Sequence, residues 1–148
     1  MQEKNEMRLE FDSRSCNEGF ARVAVAAFLT QLNPTLEEVA DVKTALSEAV
    51  TNCIVHGYEG TVEKIQIACT IEGSIIEIRV IDHGCGIEDV KKAMEPLFTT
   101  KPEEERAGMG FAFMEAFMDE VVVESARGAG TTVIMKKKIE NPAGKFAM

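Results

Sequence analysis

A chain of 148 residues is long enough to bury one core and short for two, so a single domain over residues 1–148 is expected. Its make-up, 45% hydrophobic and 28% charged, is that of a globular protein, and no apolar run approaches the ~20 residues a membrane-crossing helix needs. A formal charge of −9, with no basic patch to offset it, argues against direct nucleic-acid binding.

The opening MQEKNEMRLE is polar and acidic and does not read as a signal peptide, so the cytoplasm is the expected compartment. Residues 6–12 alternate well enough for a first strand. Residues 13–32 then read as a helix with an apolar set of Phe20, Val23, Ala24, Ala27 and Phe28. Asn33-Pro34-Thr35 breaks it, and Thr35 with Glu38 forms a capping box for the next helix. That helix covers residues 36–56 and stops at Gly57. Val39, Val42, Leu46, Ala49, Val50 and Cys53 make its apolar stripe, and Glu48, Asn52 and His56 form a polar row along the edge.

Two hairpins follow. In residues 64–71, Ile65, Ile67, Cys69 and Ile71 share a face; in residues 74–82, Ile76, Ile78 and Val80 share a face with Asp82. Residues 120–125 and 131–138 form the second hairpin, with Thr131, Val133 and Met135 pointing together. Between the hairpins lies a loop with a short helix near 88–94, and a further helix is expected to begin at Gly108–Met109–Gly110. Lys136, Lys137 and Lys138 read as solvated charge. The four cysteines, Cys16, Cys53, Cys69 and Cys85, lack C-x-x-C spacing, and Cys53 and Cys69 sit where small buried hydrophobes belong. The sum is an α+β domain: a two-layer sandwich with a mixed, mostly antiparallel sheet covered on one face by helices.

Asp82 ends an apolar strand face, so its carboxylate points inward, where it needs a partner. Gly84 and Gly86 behind it, in DHGCGI, let backbone approach a ligand closely. An inward carboxylate beside bare backbone suits an exocyclic amine such as that of adenine, although D-x-G-x-G alone also describes a strand ending in a glycine turn. Gly108–Met109–Gly110, followed by Phe111, has the free amides of a helix N-terminus that accept phosphate, or is an ordinary loop entering a helix. The preceding stretch, with Thr99, Thr100, Lys101 and Arg106, can fold over phosphates as a lid. Asn52 offers a hard amide oxygen to Mg²⁺, and Glu48 one turn away can take a proton from a nucleophile. Thr131 can satisfy adenine or Asp82, or bond to its own backbone.

In this order, E-x-x-x-N, D-x-G-x-G-I, a lid and G-x-G-F, the chain resembles the ATPase superfamily of DNA gyrase, the ninety-kilodalton heat-shock chaperone, histidine kinases and mismatch-repair ATPases. SEAVTNCIVHGY, PLFTTKPEEERAGMGF and FMDEVVVES are similar, more closely, to the sporulation anti-sigma factors of anti-sigma-F type, which are also serine kinases; the stress-response anti-sigma kinases are less similar. The resemblance implies a Bergerat-type fold and binding of ATP or ADP with Mg²⁺. Asn52 would hold the metal and Glu48 would be the general base. Asp82 would bind the adenine amine, with Gly84, Gly86, Ile87 and Thr131 shaping that pocket. Thr99, Thr100, Lys101, Arg106, Gly108, Met109, Gly110 and Phe111 would surround the phosphates, and Arg22 falls where the family docks protein partners. Met109 departs from the small residue often found between those glycines. The implied partners are a sigma factor and an anti-anti-sigma protein phosphorylated on serine, with the kinase itself a homodimer. An ATP-dependent binding module without kinase activity would carry the same motifs. A detached histidine-kinase catalytic domain fits less well, because no helix pair with an acceptor histidine is present.

Overall fold

The computed structural model describes residues 3–94 and 102–140, residues 102–109 by their backbone only. In chain order come β1 (Lys4–Asp12), α1 (Asn17–Leu29), α2 (Leu36–Asn52), β2 (Lys64–Glu72), β3 (Ile75–Asp82), a short α3 (Val90–Ala93), α4 (Pro102–Phe117), β4 (Glu120–Ser125) and β5 (Thr131–Lys138). The strands form one open sheet in the order β1-β2-β3-β5-β4. Every pairing is antiparallel, so the sheet is more regular than the mixed one expected. The two-layer arrangement is as expected. Among the described residues no helix is long and apolar enough to cross a membrane.

Strand alternation sets the core. Ile65, Ile67, Cys69, Ile76, Ile78, Val80, Val133 and Met135 all point to one side of the sheet and are buried there. Against them α2 packs Val42, Ala45, Leu46, Ala49 and Val50. The capping box forms as expected: Thr35 Oγ1 accepts from Glu38 N at 3.0 Å, and Glu38 Oε1 accepts from Thr35 N at 2.9 Å. At its other end α2 runs into a wider π turn, Cys53–Gly57, closed by Tyr58 N–H on the Cys53 carbonyl at 2.9 Å. That turn carries the chain from the helix axis toward the end of β3.

Three expectations need correction. The first helix buries Ala21, Val25 and Leu29, whereas Phe20 is 56% and Val23 63% exposed. Two apolar sets one position apart compete on this helix, and the small residues win the inner face because α1 must lie close against α2. Lys137 is not solvated; its ammonium donates to the Phe117 carbonyl at 2.8 Å and lies 3.8 Å from Asp41. It thereby neutralises the C-terminal end of α4. Finally, α4 begins at Pro102, ahead of the glycines. Proline at a first helical position, followed by Glu103, Glu104 and Glu105, is a strong helix start, and it places Gly108 and Gly110 inside the helix.

The buried cysteines give the fold a pH signature. Burial pushes the Cys69 thiol from the ordinary thiol value, 9.0, up to about 12. Between those values the unfolded chain holds fewer protons than the native one, so stability falls as pH rises. Urea midpoints measured across that window should decline less steeply in Cys69→Ala, by up to ~1.4 kcal/mol per pH unit, the value of one proton. Identical slopes would mean that the thiol titrates freely.

Candidate nucleotide site

At the end of β3 the Asp82 carboxyl is only 4% exposed. Its Oδ1 accepts the Gly84 N–H at 2.9 Å. Bare backbone surrounds it. A Cβ on Gly57 would lie 2.9 to 3.1 Å from the carboxyl atoms of Asp82. One on Gly84 would collide with the Gly57 carbonyl, one on Gly86 with the Ala126 carbonyl, and one on Gly130 with the Asp82 carbonyl. Gly86 and Gly130 also have φ of +75 and +76, where a side chain is strained. The glycines flanking Asp82 are therefore required by contact, beyond any flexibility they lend.

Thr131 stands directly across from Asp82 in the β3–β5 register. Its hydroxyl meets Ser125 Oγ at 2.8 Å. Ser125 donates its own proton to the Gly130 carbonyl and accepts the Ile87 N–H, both at 2.8 Å. With that proton committed, Thr131 is the donor in the pair, and its lone pairs remain to accept from a ligand or water. A second clamp lies at the helix end. The Tyr58 hydroxyl donates to the Lys64 carbonyl and accepts the His83 N–H at 2.7 Å. Burial pushes the Cys53 thiol and the Tyr58 phenol upward, and the negative charge of Asp82 adds to both. Asp82 thus has protonated neighbours.

Asp82, Cys53 and Gly57 wall a cavity of about 230 Å³ together with Asn52, His56, Gly86, Ile87, Phe111 and Thr131. It is mostly apolar with a few convergent polar groups, the usual character of a small-molecule pocket. Its size suits a purine base, with the rest of a nucleotide lying outward along α2. There the Asn52 amide has a buried Nδ2 without a partner among the described residues. A Cβ on Gly110 would come within 3.2 Å of Asn52 Nδ2 and 3.4 Å of Glu48 Oε2. Glu48, Asn52 and Gly110 are therefore neighbours, as a phosphate and metal site needs. An unpartnered buried amide and a backbone cradle closed to side chains both fit a nucleotide. Mg²⁺ would need no cluster of protein ligands, since it keeps waters and takes phosphate oxygens. Among the described residues no group of three or more His, Cys, Asp or Glu converges to hold a metal. A second hollow, about 330 Å³ beside Arg8, Gln66 and Arg79, lies on the uncovered sheet face and has no such backbone cradle.

Of the residues singled out from sequence, Asn52, Asp82, Gly86, Ile87, Phe111 and Thr131 line the cavity, and Gly84 packs behind it. Thr99, Thr100 and Lys101 lie outside the described residues, and Arg106, Gly108 and Met109 are backbone positions within α4. Arg22 sits apart, on α1, bonded to Glu18 at 2.9 Å and Ser47 at 3.3 Å. Sequence reasoning missed Cys53, Gly57, Tyr58 and Ser125 as parts of the site. Gly57 was visible only as a helix stop, and nothing local marks Ser125.

Fold and site together are those of a histidine kinase-like ATPase domain, and the family model of that description matches residues 13–137. The chain is 61% identical to an anti-sigma F factor of Thermoanaerobacter sp. (strain X514), over 94% of this chain and 97% of that one. It is 56% identical to that of Geobacillus kaustophilus (strain HTA426), over 92% and 94%. Its fold is similar to the structure of the RsbU and RsbW domains of Rv1364c from Mycobacterium tuberculosis, with a TM-score of 0.68 at 23% identity, covering 91% of this chain and 32% of that one. The chain belongs to the anti-sigma F factor family of histidine kinase-like ATPases.

The cradle makes a direct prediction. In Gly57→Ala the new methyl displaces the Asp82 carboxyl, and ATP affinity should fall at least about tenfold. Equilibrium dialysis of variant and parent checks this; equal affinity would show that the carboxylate has room to move.

Proposed function

We propose that the protein is an anti-sigma factor that binds a sporulation sigma factor and uses Mg-ATP to phosphorylate a serine of an anti-anti-sigma protein. The observation that carries the nucleotide part is the buried Asp82 carboxyl, framed by glycines and facing a cavity of about 230 Å³. The partners follow from the family to which the chain belongs. No membrane or nucleic acid enters this reading, and its compartment is the cytoplasm.

Asp82 accepts the adenine amine, with Thr131 as a second acceptor beside it. Gly84, Gly86 and Ile87 shape the base pocket. Asn52 would hold Mg²⁺, which when bound would supply charge neutralisation for the phosphates. Thr99, Thr100, Lys101 and Arg106 supply a lid with positive charge, and Met109 and Phe111 flank the phosphate-binding glycines. For the amides of Gly108 and Gly110 to face phosphates, the first turns of α4 must open. Glycine lowers helix stability by about 1 kcal/mol per residue relative to alanine, so opening there is inexpensive. Glu48 takes the proton of the substrate serine. Phosphoryl transfer passes through a loose transition state, so its position counts for more than its basicity. Arg22 serves partner docking. The exposed Phe20 and Val23 of α1 favour a homodimer or partner contact, because apolar side chains this exposed are commonly covered in an assembly.

The roles separate by experiment. Glu48→Ala should bind ATP with near-parent affinity and lose about a hundredfold or more in transfer. Asp82→Ala should lose nucleotide itself. Dialysis with labelled ATP, alongside transfer of label to the anti-anti-sigma protein, reads both. Undiminished transfer by Glu48→Ala sinks the base assignment. Nucleotide binding with no phosphoserine from the parent protein would leave an ATP-dependent binding module.

A further inference from the structure

Asp82, Thr131 and Ser125 form one row across three strands: Asp82 of β3 pairs with Thr131 of β5, and Thr131 pairs with Ser125 of β4. Residues directly opposite in register share a face of the sheet, so all three side chains stand on the side that the helices cover. Asp82 and Thr131 line the cavity. Ser125 stands behind Thr131, with its Oγ 2.8 Å from the Thr131 hydroxyl.

A serine hydroxyl has one proton to give and two lone pairs to receive. The Gly130 carbonyl, 2.8 Å from Ser125 Oγ, only accepts, so it takes that proton. The Ile87 N–H, also at 2.8 Å, only donates, so it fills one lone pair. The remaining lone pair faces Thr131, and that contact is a hydrogen bond only if Thr131 donates. Two backbone groups thereby decide where the Thr131 proton points, which is away from the cavity. Thr131 turns only lone pairs to a ligand, and Asp82, as a carboxylate, accepts as well. This end of the cavity presents two acceptors side by side.

We infer that Ser125 is a positioning residue that determines base specificity: by fixing the polarity of Thr131, it makes the pocket select a purine with an amine at carbon 6 and reject one with an oxo group there. The inference rests on the nucleotide reading above. An adenine amine has two protons, one for each acceptor. The oxo group of hypoxanthine has none, so its lone pairs would meet those of Asp82 and Thr131, and a buried acceptor left without a donor is costly. A hydroxyl free to rotate softens that rejection, because it donates as readily as it accepts. Ser125 also ties the loop at Ile87 to the turn at Gly130, but that structural duty treats both purines alike.

The test uses the full chain, with labelled ATP in equilibrium dialysis and ITP as competitor, both with Mg²⁺. Their bases differ at carbon 6 and in the N1 proton that accompanies the oxo group. In Ser125→Ala the Thr131 hydroxyl is released. ITP affinity should rise about threefold and ATP affinity fall by no more than about threefold, so the preference for ATP drops roughly tenfold. Ser125→Thr, which keeps a hydroxyl, should hold the preference within about twofold of the parent. In Thr131→Val no proton remains to be oriented, and adding Ser125→Ala should leave the preference unchanged. Equal losses for both nucleotides in Ser125→Ala overturn the inference and leave Ser125 a structural tie. So does the same shift with and without the Thr131 hydroxyl, or a parent that binds ITP as tightly as ATP. Should Ser125→Ala fail to fold, Ser125→Cys, a weak acceptor, reads the same preference with the same outcomes. A parent that binds neither nucleotide sinks the nucleotide reading itself; a parent that prefers ATP regardless of Ser125 sinks this inference alone.

Discussion

Burying the Asp82 carboxyl obliges its surroundings to supply hydrogen-bond donors and to withhold side chains, and much of the local architecture follows from meeting both demands. The Gly84 amide is the donor. Gly57 and Gly130 crowd Asp82, and Gly84 crowds Gly57, so closely that no Cβ fits at any of them. They come from three separate stretches: the turn after α2, the loop after β3 and the entry to β5. The site therefore exists only while the helix end and both strands hold together, which couples nucleotide binding to the integrity of the fold.

Helix α2 joins the two halves of that site. Its buried stripe anchors it on the sheet, and the capping box fixes where its register begins. Glu48 and Asn52 then emerge on the edge of the stripe at a height set by that register. The π turn at its end delivers Gly57 to Asp82 and Tyr58 to the backbone of His83. One helix thus positions groups at both ends of the candidate site, and a shift in its packing would disturb both ends together. Arg22 reaches the same helix from α1 through Ser47.

Charge is distributed to match. The chain is acidic overall, and many of its surface cations are already paired with carboxylates, as Lys64 is with Asp12 and Lys136 with Glu77 and Glu120. Such exposed pairs contribute little to stability, roughly 0–1 kcal/mol each.

By itself the sequence determined whatever depends on neighbours a few residues apart. Period-two alternation put Asp82 and Thr131 on inward faces, helical spacing set Glu48 beside Asn52, and Thr35 with Glu38 marked the start of α2. The glycines around Asp82 were legible as places where backbone approaches something, though not as what it approaches. Only the tertiary structure decided the rest. That β5, rather than β4, lies beside β3 is a non-local pairing, and it alone sets Thr131 across from Asp82, with Ser125 behind Thr131. Which of two overlapping apolar sets on α1 faces inward depended on how closely α1 must approach α2, a matter of shape that periodicity does not encode. Gly57, read along the chain as the stop of a helix, became a wall of the site because a distant strand ends against it.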